Sequence, residues 1–317
     1  MVHVREMWRR LVFEGGSMRK FIRSSRFCFA AFFLFFSAVF SQTNFWESTN
    51  GPPGGRVNSI FVNSNGDIYV STGVGIFRSV DNGQSWVQSV IPSKWPEVKA
   101  VTVSKTGALY AAGDYVYRST DNGATWRQIM NGFPNGVGGC IVLSSNGDIF
   151  AACSSNAAAV YRSTDDGDSW TYLNDGLPLQ VQSMVISPGG TILAGTQGGV
   201  FRSTNNGDNW SQVNAGLTST YVSSMIVKPN GEIFAAAGYV HRSTDDGKHW
   251  ALCDSSFGVS ILSVDSNGTL CGASWDGKVY RSTDDGNTWV DISGDLGTQS
   301  TTSVALGYGR SDFSRHL

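Results

Sequence analysis

The sequence predicts an all-β chain folded as a β-propeller of four-stranded blades, six of them complete and a partial seventh shared by the two termini. Three observations carry that expectation. An eight-residue box, Ser-x-Asp-x-Gly-x-x-Trp, recurs with its acid or amide at Asp81, Asp121, Asp165, Asn205, Asp245 and Asp284, at intervals of 40, 44, 40, 40 and 39 residues. Each copy closes on an indole: Trp86, Trp126, Trp170, Trp210, Trp250 and Trp289. Ahead of each box stand short apolar segments separated by Gly-rich turns. The 38 glycines, with 12% aromatic and 15% charged residues, suit many short strands joined by tight turns.

The N-terminus stands apart. Arg19, Lys20, Arg23 and Arg26 precede an apolar run from Phe27 to Phe40, and Val39 and Ser41 are acceptable before a signal-peptidase cut. The run is too short to cross a bilayer comfortably, so residues 1–41 read as a signal peptide, with a retained anchor as the alternative. Met18 directly precedes the basic stretch, and residues 1–17 read as a mis-assigned extension of the start. No lipid-attachment cysteine sits at the cut. Beyond residue 41 the chain holds 16 basic and 23 acidic groups, a net of −7, which argues against nucleic acid and anionic membranes as partners.

Residues 42–306 carry the repeat. A first strand of alternating apolar and small residues is expected at 57–62, 98–103, 138–143, 181–186, 222–227 and 259–264. Asn65-Gly66, Asn146-Gly147, Asn230-Gly231 and Asn267-Gly268 read as two-residue hairpin turns. A second strand such as 67–72 or 232–237 leads to a third such as 75–79, and the Trp of the box opens a fourth, as in 86–90. At the ends, 44–48 with Trp46 resembles a lone fourth strand and 301–306 a lone first strand, Ser303 matching Ser59, Ser183 and Ser224. Pairing of the two would close the ring and remove exposed edges. Residues 307–317 match no strand of the repeat and read as an irregular tail, as in a truncated seventh blade.

The box resembles the Asp box, or bacterial neuraminidase repeat, of sialidases, some glucan hydrolases, sortilin-type receptors and a photosystem II assembly factor; the resemblance covers residues 44–306. It implies a propeller whose boxes lie on the outer rim and hold the fold, and it is nearly silent on activity, since one box serves unrelated functions. On this basis the chain is identified as a secreted, bacterial, non-catalytic member of that superfamily. In each box a carboxylate can accept backbone N–H bonds, Gly takes a left-handed conformation and the Trp covers the hairpin. A calcium loop would need alternating oxygens over about twelve residues, and even Asp165-Asp166-Gly167-Asp168 is too short.

The catalytic pattern that the resemblance makes available is not matched. The Phe/Tyr-Arg-Ile-Pro segment of sialidases is missing, and Arg78, Arg118, Arg162, Arg202, Arg242 and Arg281 are one repeat position just before the box. They read as blade-edge residues rather than a substrate-carboxylate triad. A glycoside hydrolase needs two positioned carboxyl groups, for which Asp114 and Asp276 are the best acids. No nucleophile elbow, phosphate loop, metal motif or cofactor signature occurs.

The face opposite the boxes, built from the loops joining second to third and fourth to first strands, is where a ligand would bind. Trp95, Asp114, Tyr115, Phe133, Tyr239, Trp275 and Asp276 fall there. Aromatics round a concave mouth suit an extracellular glycan or protein. Counting outward from Asn146-Gly147 puts Cys140 opposite Cys153, and export favours a disulfide between them. The sequence thus reads as a secreted, extracellular or periplasmic monomer, a binding or scaffold propeller, with a sialidase- or glucanase-like hydrolase as the alternative.

Overall fold

The computed structural model describes residues 51–305, apart from 53–55, 64, 94–96, 135–137, 154–158, 174, 178–179 and 295–302, together with 313–314. The leader 1–41 and the strand expected around Trp46 lie outside the described residues.

Each repeat folds as an antiparallel meander because its segments are too short and too regularly interrupted by Gly turns to do otherwise. The first blade is β1 (Val57–Val62), β2 (Ile68–Thr72), β3 (Gly75–Ser79) and β4 (Val87–Gln88). The second is β5 (Val98–Val103), β6 (Leu109–Gly113), β7 (Val116–Ser119) and β8 (Arg127–Gln128). The third is β9 (Gly138–Leu143), β10 (Ile149–Cys153), β11 (Ala159–Ser163) and β12 (Thr171–Leu173). The fourth is β13 (Val181–Ile186), β14 (Ile192–Thr196), β15 (Gly199–Ser203) and β16 (Ser211–Gln212). The fifth is β17 (Ser224–Val227), β18 (Ile233–Ala237), β19 (Tyr239–Ser243) and β20 (Ala251–Asp254). The sixth is β21 (Ile261–Val264), β22 (Leu270–Ala273), β23 (Val279–Ser282) and β24 (Val290–Asp291). Each blade is a four-stranded sheet in sequence order.

Burial follows the distance from the axis. The second strands, such as Ile-Phe-Ala-Ala-Ala at 233–237, are buried throughout because both faces of the blade meet a neighbour there. Their small residues let the sheets approach. The fourth strands shrink to two to four residues, shorter than 86–90 and its equivalents suggest, because the outermost strand has a partner on one side only. The core lies between blades: Tyr110 and Ala112 of the second blade pack with Ile149, Ala151, Tyr161 and Trp170 of the third.

Hydroxyls link the innermost strands. Ser183 Oγ accepts from Met225 N (2.9 Å) and Ser224 Oγ from Leu262 N (3.1 Å), each in the following blade. Ser303 Oγ accepts in the same way from Ile60 N of the first blade (3.2 Å). The short strand β25 (Val304–Ala305) therefore joins the last blade to the first, touching both β21 and β1. It pairs with β26 (Phe313–Ser314), so a strand forms within the tail that the sequence leaves irregular.

Two expectations are corrected. The hairpin loops are three residues long: Ser144 N donates to Asp148 O and Gly147 N to Ser144 O, with Gly147 at φ 98°. The extra residue shifts the register, so Cys140 pairs with Ala152, and after a bulge Cys153 pairs with Gly138. A one-residue shift turns a side chain to the other face. Cys140 packs towards the fourth blade and Cys153 into the core with the second, which places them wrongly for the disulfide. Among the described residues no helix is long and apolar enough to cross a membrane.

Candidate ligand-binding face

The box turns occupy one face, and their geometry shows what the motif does. Ser79 Oγ donates to Asp81 Oδ1 (2.7 Å) and accepts from Gly83 N (2.8 Å). Asp81 then accepts from Ser85 N (2.9 Å) and Ser85 Oγ (2.6 Å). These donors stabilise the charged form, so the carboxyls of Asp81, Asp121 and Asp165 are held down to about 2, led by the hydroxyls of Ser85, Thr125 and Ser169. Asn205 keeps the bonds to Ser203 Oγ (2.9 Å) and Asn209 N (3.0 Å), and its Nδ2 donates to Asn209 Oδ1 (2.9 Å) in place of accepting from a hydroxyl. Asp245 meets His249 Nδ1 at 2.6 Å in the fifth copy, and Asp284 accepts from Thr288 N and Oγ1 in the sixth.

The residue before the box glycine is also left-handed in all six copies, from Asn82 at φ 58° to Asp285 at 62°. The sequence reading expected this only at the glycine; Asn or Asp at each preceding position was the signal that could have found it. This second residue reaches the preceding blade: Tyr110 Oη bonds Asp166 Oδ1 (3.2 Å), Thr191 Oγ1 bonds Asp246 Oδ2 (2.5 Å), and Lys228 pairs with Asp285. Arg118 and Arg202 pair with Asp166 (3.1 Å) and Asp246 (2.6 Å) of the next box, whereas Arg78 and Arg242 hold Asp67 and Glu232 of their own hairpins. Those arginines are fasteners along the blade edges.

The box indoles do not simply cover their own hairpins. Trp126 N, Trp170 N, Trp210 N and Trp250 N donate to carbonyls of Val90, Asn131, Asp175 and Ala215 beyond the fourth strand of the preceding blade. Trp170 Nε1 reaches Ile129 O (2.9 Å) and Trp250 Nε1 reaches Val213 O (3.0 Å). Trp86 and Trp289 instead turn back to Gly83 O and Gly286 O, both at 3.1 Å.

On the opposite face the predicted residues separate. Trp95 lies outside the described residues. Phe133 is a correction: it is 5% exposed, packed on Tyr161 (4.6 Å between ring centres) and Trp170 (5.3 Å), because the chain leaving the fourth strand dips between blades there. Asp114 accepts from Ser93 Oγ (2.9 Å), Tyr117 Oη (2.9 Å) and Tyr115 N (3.1 Å), and its own N–H donates to Glu97 O (2.9 Å). It fixes its loop. Burial, and then the Asp114 bond, raise the Tyr117 phenol well above its ordinary value. Tyr115 is half-buried, edge-on to Tyr117 at 6.2 Å.

Trp275 is 67% exposed, at the tip of the loop joining β22 to β23. Beside it, Asp276 accepts from Ser274 Oγ, which holds its carboxyl below the usual range. A general acid must keep its proton near neutral pH, and Asp276 is shifted the other way. Tyr239 is 37% exposed at the start of β19. The sequence reading missed Tyr221, 41% exposed in the loop entering the fifth blade, although Thr218-Ser-Thr-Tyr221 interrupts the pattern there. It also missed His241, fully buried where the other blades carry Phe77, Tyr117, Tyr161, Phe201 and Tyr280. These exposed aromatics belong to the fifth and sixth blades.

By its fold the protein is a β-propeller, and Tyr221, Tyr239 and Trp275 lie exposed on the face away from the box turns. Residues 192–306 match the DUF6242 beta propeller domain, a family model that runs from the second strand of the fourth blade past the sixth blade. No curated protein matches the chain. Among solved structures it is similar to YCF48 bound to D1 peptide, at 18% identity and a TM-score of 0.67, covering 84% of this chain and 90% of that one. A streptogramin B lyase gives 14% identity and a TM-score of 0.70, covering 83% of this chain and 91% of that one. An ancestral GH74 enzyme gives 18% identity and a TM-score of 0.62, covering 81% of this chain but 40% of that one. At these identities the likeness is one of fold.

Proposed function

We propose that the protein is a non-catalytic binding or scaffold propeller of the Asp-box type, exported by the leader 1–41, that takes an extracellular protein or glycan on the face opposite the boxes. The observation that carries this reading is the exposure of Trp275, Tyr221 and Tyr239 on one face of two adjacent blades. Large apolar groups left in water on a rigid scaffold are the usual anchors of recognition. The acids beside them favour binding over hydrolysis, since Asp114 and Asp276 are each tied to hydroxyls of their own loops. The similarity to a propeller solved with a peptide is consistent with a protein partner. The position of β25 between β21 and β1 supports a ring closed by a seventh blade.

The test is to collect the exported protein, determine its N-terminus and screen it on peptide and glycan arrays, then repeat with Trp275→Ala and with Tyr221→Ala/Tyr239→Ala. An N-terminus near Gln42 is expected, with binding lost by at least ~10-fold in the variants and thermal stability nearly unchanged. Binding that survives both variants, or hydrolysis of an arrayed glycan, would overturn the reading.

A further inference from the structure

His241 places an imidazole where the other five blades carry Phe77, Tyr117, Tyr161, Phe201 and Tyr280, and it is fully buried. Its two nitrogens are committed in a way that fixes the tautomer. Thr218 N can only donate and lies 3.1 Å from Nε2, so Nε2 accepts. The carbonyl of Tyr239 can only accept and lies 3.1 Å from Nδ1, so Nδ1 carries the proton. Thr218 Oγ1 lies 3.1 Å from Nε2 and 3.4 Å from Ala237 O, closing the group.

This one ring therefore ties together the two segments that present the exposed tyrosines. Thr218 begins the turn in which Tyr221 N donates to Ser219 Oγ (3.1 Å), and Tyr239 opens β19. Between them Gly238 packs beside Ser219, where an added Cβ would make ordinary contact with the serine Cβ at 3.5 Å. In the second blade the equivalent Tyr117 holds its own loop through one bond to Asp114, and the phenylalanines of the first and fourth blades have no polar atom with which to hold one. Phe201, for example, packs with Leu177 and Trp210.

We propose that His241 is a positioning residue of the ligand-binding face, a neutral latch that holds Tyr221 and Tyr239 as one recognition unit and releases the Thr218–Tyr221 loop when its ring is protonated. The assignment of Tyr221 and Tyr239 to a ligand rests on the function proposed above; the latch itself does not. A protonated ring presents two donors, so Thr218 N would face a donor and lose its acceptor. Around the ring, β18 presents Ala235, β20 presents Leu252, the loop presents Thr218, and Tyr239, the titratable residue here, faces it through its carbonyl. Among the described residues no charged group contributes to its titration, and burial pushes it below the ordinary histidine value. The latch is thus closed at neutral pH and opens in acid, below the usual histidine range.

Amide hydrogen exchange of the full chain at pH 7.5 and pH 5, corrected for intrinsic rates, tests this without a ligand. In the native protein the Thr218–Tyr221 amides should exchange on the order of tenfold faster at pH 5, with the second strands unchanged. His241→Phe, the residue of the first and fourth blades, should show the fast loop at both pH values. His241→Gln, which offers one acceptor and one donor, should restore protection at both. Equal protection of the native loop at both pH values would overturn the latch, as would His241→Phe with native circular dichroism and an unchanged loop. If His241→Phe does not fold, the native comparison and His241→Gln decide. A pH-sensitive loop together with array binding that ignores Tyr221→Ala/Tyr239→Ala would keep the latch and remove the tyrosine site.

Discussion

At the scale of the residue, the box is a hydrogen-bond device in which one serine and one carboxylate fix a turn whose backbone is left-handed at two successive positions. Asp81, Asp121 and Asp165 are acceptors of their own turn, which is why their carboxyls titrate near 2. Their folded values lie below the unfolded one, so the stability they give is fully present above the ordinary aspartate value of 3.8 and is lost as pH falls from there towards 2. Urea unfolding followed from pH 6 to pH 2 should show the steepest loss in that window. Asp121→Asn and Asp165→Asn together should flatten the slope there, because an amide keeps the geometry Asn205 shows and cannot titrate.

At the scale of the element, each blade is closed on itself as a four-stranded sheet and fastened to its neighbours by the segments that leave its fourth strand. The chain leaving a fourth strand runs so close to the next box that Gly216, at φ 92°, would place an added Cβ 1.8 Å from the Trp250 carbonyl oxygen. Gly216→Ala combines a disfavoured φ with a backbone clash and should cost about 2–5 kcal/mol, read as a lowered urea midpoint with unchanged slope. The third blade shows how a single loop residue decides what its strands can do. With three residues between Ser144 and Asp148, Cys140 faces Ala152. Burial pushes the Cys140 thiol up to about 12, so it should alkylate slowly in the folded protein. Thiol reductant should leave the melting temperature unchanged; a drop would restore the disulfide.

At the scale of the molecule, Ser303 and β25 turn a row of blades into a ring by repeating between last and first blade the hydroxyl bond that joins the others. Val304 and Ala305 are buried there. Removing residues 303–317 would expose the inner edges of β1 and β21. The loss of this burial and bonding, about 2–4 kcal/mol, should lower the melting temperature by roughly 5–15 °C and promote association through the opened edges.

The repeat was legible because local chemistry dictates it. Six evenly spaced boxes, Asn or Asp before each glycine, and small residues in the second strands specify turns and strands whatever surrounds them. The sequence by itself therefore determined the four-stranded blades, the structural role of the boxes and the edge position of the arginines. What only the tertiary structure decided concerns contacts between segments some forty residues apart. The indoles of Trp170 and Trp250 staple the preceding blade, Phe133 sinks into the core, Asp114 serves its loop, and His241 joins Thr218 to Tyr239. No periodicity records these, because each depends on which segment of the next blade arrives beside it. Even the register of the cysteines turned on one loop residue, since a strand reverses its faces with every step.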